Sequence, residues 1–220
     1  MKQIAVFCDF DGTITEKDNI INIMKHFAPK EWEKLKDDVL AQRISIREGV
    51  GKMFALLPSN LKEDIIEFAK EHGKIRDGFQ PFVDFLKAEH ISLYIVSGGI
   101  DFFVHPILEP FGPFEAIYCN ASDFTSETIQ ILWPHTCDEQ CTNDCGCCKP
   151  SIIRTLDGDQ LFKVVIGDSI TDLEAAKQAD YVIARDLLLE KCQELGLPHS
   201  PFNTFYDCVE TIKSLSGVRT

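Results

Sequence analysis

Two aspartates, Asp9 and Asp11, stand two positions apart where the apolar run at residues 4–8 gives way to Gly12 and Thr13. Carboxylates crowded at the end of a buried strand repel one another, and a divalent cation relieves that cost. A second pair, Asp168 and Asp172, follows the apolar stretch at 162–166 in Gly-Asp-Ser-Ile-Thr-Asp. It adds hard oxygen ligands of the kind Mg2+ prefers, a set that Mn2+ accepts equally. Ser97, Gly98 and Gly99 close another apolar run and offer a hydroxyl and backbone N–H groups suited to an oxyanion. Lys149, just ahead of Pro150 and so near a helix start, could reach a phosphate oxygen or an anionic nucleophile. Taken singly, each is equally a helix cap, an Asx turn, an ordinary turn or a solvated lysine. As a set at successive strand ends, they point to metal-assisted chemistry on a phosphate ester.

The elements that must position these groups are legible as alternating periods. Short apolar runs at 4–8, 91–96, 116–119, 162–166 and 181–184 read as buried parallel strands. Helical spacing marks 79–86 and 150–156, and from Ile20 to about His72 the pattern is helical throughout, with no strand. The second strand is expected to end at Ser97, with Gly98 and Gly99 turning into a helix. Alternation of this kind predicts an α/β fold: a doubly wound, Rossmann-like parallel sheet that binds ligands beyond the carboxyl ends of its strands. The expected division is a catalytic core of residues 1–15 and 79–220, a helical cap inserted at 16–78, and a loop or hairpin insertion at 120–148. Cap hinges are expected near Glu16 and Gly78.

At 220 residues the chain accommodates one core and a modest insert. Its net charge of −13 disfavours nucleic acid, whose binding rests on Lys and Arg contacts to phosphates. It would also repel a small phosphate ester unless a metal, a lysine or backbone amides concentrate positive charge locally. With no export signal and no apolar run of about 18 residues, the expectation is a cytoplasmic protein without a membrane partner, whose nine cysteines are reduced thiols or metal ligands. Oligomeric state is not readable. His135, Cys137, Cys141, Cys145, Cys147 and Cys148 crowd a polar loop before Lys149. Four thiolates, or three with an imidazole, could bind a structural Zn2+ and so position the lysine; loop thiols that bind nothing are the equal alternative.

Taken in order, Asp9-Phe10-Asp11-Gly12-Thr13, Ser97-Gly98-Gly99, Lys149, and Gly167-Asp168-Ser169 with Asp172 resemble the motifs of the haloacid dehalogenase superfamily of phosphohydrolases. The long helical insert is similar to the cap of its phosphoserine-phosphatase-like branch. The resemblance implies that Asp9 attacks phosphorus and that Asp11 serves as general acid and then base. It also implies that Mg2+ is held by Asp9, the Asp11 carbonyl and Asp168, with Asp172 nearby or acting through water. Ser97, Gly98, Gly99 and Lys149 would bind the phosphoryl group. A carboxylate at position 11 favours a phosphatase over the family's dehalogenases and ATPase pumps.

For the leaving group, Glu16 and Arg47 are candidate contacts, along with Asp18 and apolar residues such as Met24 and Met53. The stretch from Ser45 to Val50 looks similar to a cap segment of phosphoserine phosphatases. Gly49 stands there in place of the arginine expected to read a serine carboxylate, which demotes phosphoserine. A phosphotransferase remains an alternative, as does a catalytically retired scaffold with a zinc-binding interaction loop.

Overall fold

Alternate residues of the first strand face opposite sides, and both sides are buried. In β1 (Gln3–Cys8), Ile4, Val6 and Cys8 join one apolar cluster while Ala5 and Phe7 join another. A strand buried on both faces belongs at the centre of a helix-covered parallel sheet. In the computed structural model, which describes residues 2–156 and 161–217, that is its place.

Next along the chain come α1 (Asn19–Phe27), α2 (Glu31–Leu40), α3 (Ile46–Phe54) and α4 (Lys62–His72). Asp18 caps α1 by accepting from the Ile21 N–H, and Ser45 caps α3 by accepting from Glu48 N–H. After α5 (Phe79–Ala88) come β2 (Ser92–Ile100), α6 (Asp101–Leu108), and the hairpin of β3 (Ala116–Asp123) and β4 (Gln130–Leu132). The chain then runs through α7 (Lys149–Thr155), β5 (Leu161–Gly167), α8 (Leu173–Ala176), β6 (Tyr181–Ala184), α9 (Asp186–Leu195), β7 (His199–Pro201) and α10 (Phe205–Ser216).

The sheet order is β4-β3-β2-β1-β5-β6-β7, parallel except for β3 with β4. The chain winds outward from β1 to β3, then returns to the other side of β1 at β5, so the reversal of direction falls beside β1. Cys8, the last residue of β1, is level with Ile95 of β2 and with Ile166, one residue before the end of β5. Phe205 of α10 packs on Phe79 and Phe82 of α5, with ring centroids 4.9 and 5.1 Å apart, and helps seal one face.

Two features depart from the sequence reading. β2 does not stop at Ser97 but continues to Ile100, and Val96 pairs with Tyr118 while Ile100 pairs with Asn120, so the bridging residues 97–99 bulge out. The anticipated glycine turn is this bulge, and α6 begins only after it. Short edge strands β4 and β7 have no counterpart in the sequence pattern, and β3 extends into the segment assigned to the insertion.

The chain crosses between the helical insert and the sheet twice, and the two crossings pair. Thr15 bridges Ile75, Glu16 N–H donates to Lys74 O and Arg76 N–H donates to Ile14 O. Gly78, at φ +81, makes the left-handed turn into α5.

Candidate active site

Asp9 leaves β1 with its N–H on Ile166 O at 2.9 Å, which places its side chain beside Gly167 and Asp168. It is only 6% exposed. Lys149, the first residue of α7, donates from Nζ to Asp9 Oδ1 and to Asp172 Oδ1. The second oxygen of Asp172 accepts from the N–H groups of Asp168 and Ser169, at 3.2 and 3.1 Å. Both oxygens of Asp172 are therefore engaged; it anchors the lysine and the turn.

Asp9, Asp168 and Asp172 each bring a carboxylate oxygen within 4.8 Å of the others. Three carboxylates face one ammonium, which leaves two formal negative charges in a buried place. Hard oxygen donors and that charge deficit fit Mg2+. The surroundings keep the space open: a Cβ on Gly12, itself at φ +79, would stand 2.3 Å from Asp168 Oδ2, and one on Gly167 would stand 2.6 Å from Asp172 Cγ. Thr13 Oγ1 donates to Asp168 Oδ1 at 3.0 Å and fixes that carboxylate.

Burial, followed by the charge of Asp172, pushes the Asp168 carboxyl up to about 6. The same two causes raise Asp9, against the pull of Lys149. For Lys149, burial favours the neutral amine, but the carboxylates of Asp172 and Asp9 outweigh it and hold the ammonium above the ordinary lysine range.

Asp11 sits differently. Its Oδ1 accepts from both the backbone and the side-chain amide of Asn19, while its Oδ2 meets no donor among the described residues and lies 3.0 Å from where a Gly99 Cβ would be. Burial, then the charge of Asp18, lifts its carboxyl to about 7, with the Asn19 bonds pulling the other way. A carboxyl near neutrality can give a proton and later take one back.

At the bulge in β2, Ser97 is fully buried and its Oγ accepts from Gly99 N–H at 2.9 Å, so the hydroxyl hydrogen is left to donate elsewhere. Asn120 Nδ2 donates to Gly98 O at 2.8 Å and pins the crest of the bulge. Gly98 itself is exposed, and a Cβ added to it would meet no described atom within 4 Å.

Two residues absent from the sequence reading support this centre. Arg76 is buried, with Nη2 donating to Gly12 O at 2.6 Å and Nε to Thr13 O at 2.7 Å. It holds the backbone of the Asp9–Thr13 turn from the second crossing between the helical insert and the sheet. Asn19, also buried, orients Asp11.

Other expected contacts are committed elsewhere. Glu16 pairs with Lys74 at 2.8 Å where the two crossings pair, and Arg47 pairs with Asp144 and covers the Trp133 ring. Met24 and Met53 are buried in the apolar cluster. Gly49 packs against α2, where a Cβ would stand 2.1 Å from Val39 Cγ2, so that position holds no substrate-reading side chain. Of the six clustered loop residues, the fold gathers Cys137, Cys141, Cys145 and Cys148. Cys147 instead donates to Tyr118 O, and the His135 ring lies edge-on to Tyr118.

A family model described as haloacid dehalogenase-like hydrolase matches residues 6–177. The chain belongs to this family. Among haloacid dehalogenase-like hydrolases it is similar to the 2-hydroxy-3-keto-5-methylthiopentenyl-1-phosphate phosphatase of Geobacillus kaustophilus (strain HTA426), with 64% identity over 217 residues, 99% of each chain. The protein of the same name from Bacillus pumilus (strain SAFR-032) is 60% identical over 219 residues, covering 100% of this chain and 95% of the relative. Phosphoserine phosphatase from T. onnurineus has the same fold, with TM-score 0.71 at 18% identity over 97% of this chain and 95% of that one. A substrate-bound phosphoserine phosphatase gives 0.66 at 19%, over 87% and 90%. No described helix is long and apolar enough to cross a membrane.

Proposed function

We propose that this hydrolase dephosphorylates 2-hydroxy-3-keto-5-methylthiopentenyl-1-phosphate in L-methionine salvage, by way of a phospho-aspartate at Asp9. What carries the reading is the end-to-end similarity to phosphatases of that name, at 64% identity, joined to a site in which Asp9 and Asp11 each have one oxygen that no described donor engages. The runs Cys8–Thr15 and Gly146–Pro150 resemble the same enzymes.

Asp9 Oδ2, which no described donor engages, attacks phosphorus while Lys149 holds Oδ1. The ester P–O bond breaks, and Asp11 gives its proton to the departing oxygen from Oδ2. With the leaving group gone, Asp11 takes a proton from water; the hydroxyl oxygen attacks the phospho-aspartate and frees Asp9 and inorganic phosphate. The Ser97 hydroxyl, the amides of the bulge and Lys149 spread the charge of the moving phosphoryl group. Asp9, the Asp11 carbonyl and Asp168 would hold Mg2+, which when bound offsets the repulsion between a carboxylate nucleophile and a phosphate dianion.

In this reading residues 1–15 and 79–220 are the catalytic core, 16–78 the cap and 120–148 an insertion. On the same reading the methylthio tail lies against Ile131 and Trp133 in the groove of about 350 Å³ between α3 and the insertion, whose rim carries the charged Arg47, Glu48, Lys52 and Asp144. Gly146 lies against both Trp133 and Asn120, and Asn120 in turn bonds the Gly98 carbonyl.

The test is phosphate release, with Mg2+ or with chelator, from the methylthiopentenyl phosphate, phosphoserine and an aryl phosphate. We expect chelator-sensitive release with kcat/KM at least roughly tenfold in favour of the first substrate, a margin of about 1.4 kcal/mol. Equal or better turnover of phosphoserine overturns the assignment. No release from any substrate favours a retired scaffold, and phosphate appearing on added alcohols favours a phosphotransferase.

A further inference from the structure

Residues 133–148 contain no helix or strand, yet this segment joins the sheet hairpin to Lys149 and also meets the cap. Asp144 accepts from Ser45 Oγ at 2.6 Å, pairs with Arg47, and gives its carbonyl to Arg47 N–H. Long irregular segments hold one course only when something fastens them. Internal backbone bonds here are sparse, chiefly Cys141 N–H to Asp138 O and Cys148 N–H to His135 O.

The fastening is visible in the sulfurs. Cys137, Cys141, Cys145 and Cys148 are spread along the loop, which takes left-handed backbone at Asp144 and Gly146, and all four Sγ atoms fall within 4.8 Å of one another. Cys141 and Cys145 are 3.8 Å apart, sulfur to sulfur. A tetrahedron with Zn–S bonds of about 2.3 Å has S···S edges of about 3.8 Å. A multi-iron cluster, whose cysteines bind different iron atoms, would hold its sulfurs farther apart. Two sulfurs already accept hydrogen bonds of the sort that steady metal thiolates: Cys145 N–H to Cys137 Sγ at 3.5 Å, and Ser151 Oγ to Cys148 Sγ at 3.1 Å.

We propose that Cys137, Cys141, Cys145 and Cys148 bind one Zn2+ as a closed, four-thiolate structural site that ties the insertion to the start of α7. Soft sulfur donors select zinc over the hard cation suited to the aspartates, and four protein ligands leave no position for substrate. Because Cys148 precedes Lys149 and Asp144 lies between two ligands, the ion would fasten in one place the loop that touches α3 and the residue that reaches Asp9 and Asp172. This proposal is independent of which ester the enzyme hydrolyses.

Elemental analysis of the full-length protein, purified with thiols reduced and with zinc in the growth medium, is expected to show about one zinc per chain, the stoichiometry of a closed site. Cys141→Ser should lower zinc at least roughly tenfold, whereas Cys147→Ser should leave it unchanged. Should the serine variants fail to fold, Co2+ titration of metal-free wild-type protein serves instead, with intense thiolate-to-cobalt charge transfer and tetrahedral visible bands saturating at one equivalent. Less than about one zinc per ten chains, iron in its place, disulfides among these cysteines in protein never exposed to oxidant, or equal loss of metal in both variants would each overturn the site.

Discussion

Asn19 donates twice to a single oxygen of Asp11, from its backbone at 2.9 Å and from its side-chain amide at 2.7 Å, and no described donor engages the other oxygen of that carboxyl. The bonds stabilise the anion, so they work against the burial and the Asp18 charge that lift the carboxyl to about 7. Asn19→Ala removes one of the two bonds. The proton should then be held more tightly, and the alkaline limb of kcat/KM, where the free enzyme loses its acid, should move to higher pH. A limb that stays in place or moves to lower pH would separate Asp11 from the leaving-group proton.

Asp11→Asn separates the two halves of the reaction. Departure of an activated aryl oxide needs little help from an acid, but hydrolysis of the phospho-aspartate needs the base. Steady-state turnover of an aryl phosphate should fall by roughly 100-fold or more. The first turnover should be affected less, so rapid mixing should show a burst of aryl oxide. Turnover without change would remove Asp11 from the mechanism.

The carboxyl of Asp168, raised to about 6 by burial first and the Asp172 charge second, sets a pH threshold for metal binding. A raised carboxyl keeps its proton to higher pH, and that proton competes with the cation. Mg2+ affinity should be near its plateau at pH 7.5 and weaken as pH falls through about 6, approaching tenfold per pH unit for each proton displaced. Calorimetric titrations at pH 5 and 7.5 measure this directly. The stability of the metal-free protein should respond in the opposite sense: between the ordinary carboxylate range and about 6 the folded state holds more protons than the unfolded chain, so stability declines with rising pH across that window.

Arg76→Leu leaves the carbonyls of Gly12 and Thr13 without their buried donor. An unsatisfied buried group costs about 1–3 kcal/mol, so denaturant unfolding should show a loss of about 2 kcal/mol or more. The phosphatase rate of the still-folded variant should drop as well, because the turn that carries Asp9 and Asp11 has lost its support. Full stability and full activity together would show that the guanidinium is dispensable.

How much of the fold and the site is legible in the chain depends on whether neighbours in sequence are also neighbours in space. Asp9, Asp11, Asp168 and Lys149 are each preceded or followed by an element with a clear period, so their convergence can be argued from strand ends alone. Arg76 and Asn19 carry no such signal. One is the second of two cations in a short linker and the other a polar residue at a helix start, and only folding of the insert back onto the sheet gives them partners. The edge strands β4 and β7 span three residues each, too short for a period of two to register, and β7 ends in a proline that an edge tolerates. Ser97 to Gly99 stand out in the sequence but suggest the wrong shape, because a bulge within a strand and a turn after one share the same glycines. Which four of six candidate ligands meet is likewise a matter of loop path, since spacing alone does not set Cys147 and His135 apart.

Three carboxylates around a single ammonium give the crevice an electrical character with a thermodynamic corollary. In a chain that carries a net charge of −13, neither a divalent cation nor an ester dianion enters a neutral room. Each alters the potential that the other meets, and the coupling must be mutual: whatever factor saturating phosphate adds to magnesium affinity, saturating magnesium adds to phosphate affinity. Product inhibition by phosphate should therefore deepen as free magnesium rises, so that the cell's magnesium level also sets how readily the enzyme lets go of what it has made.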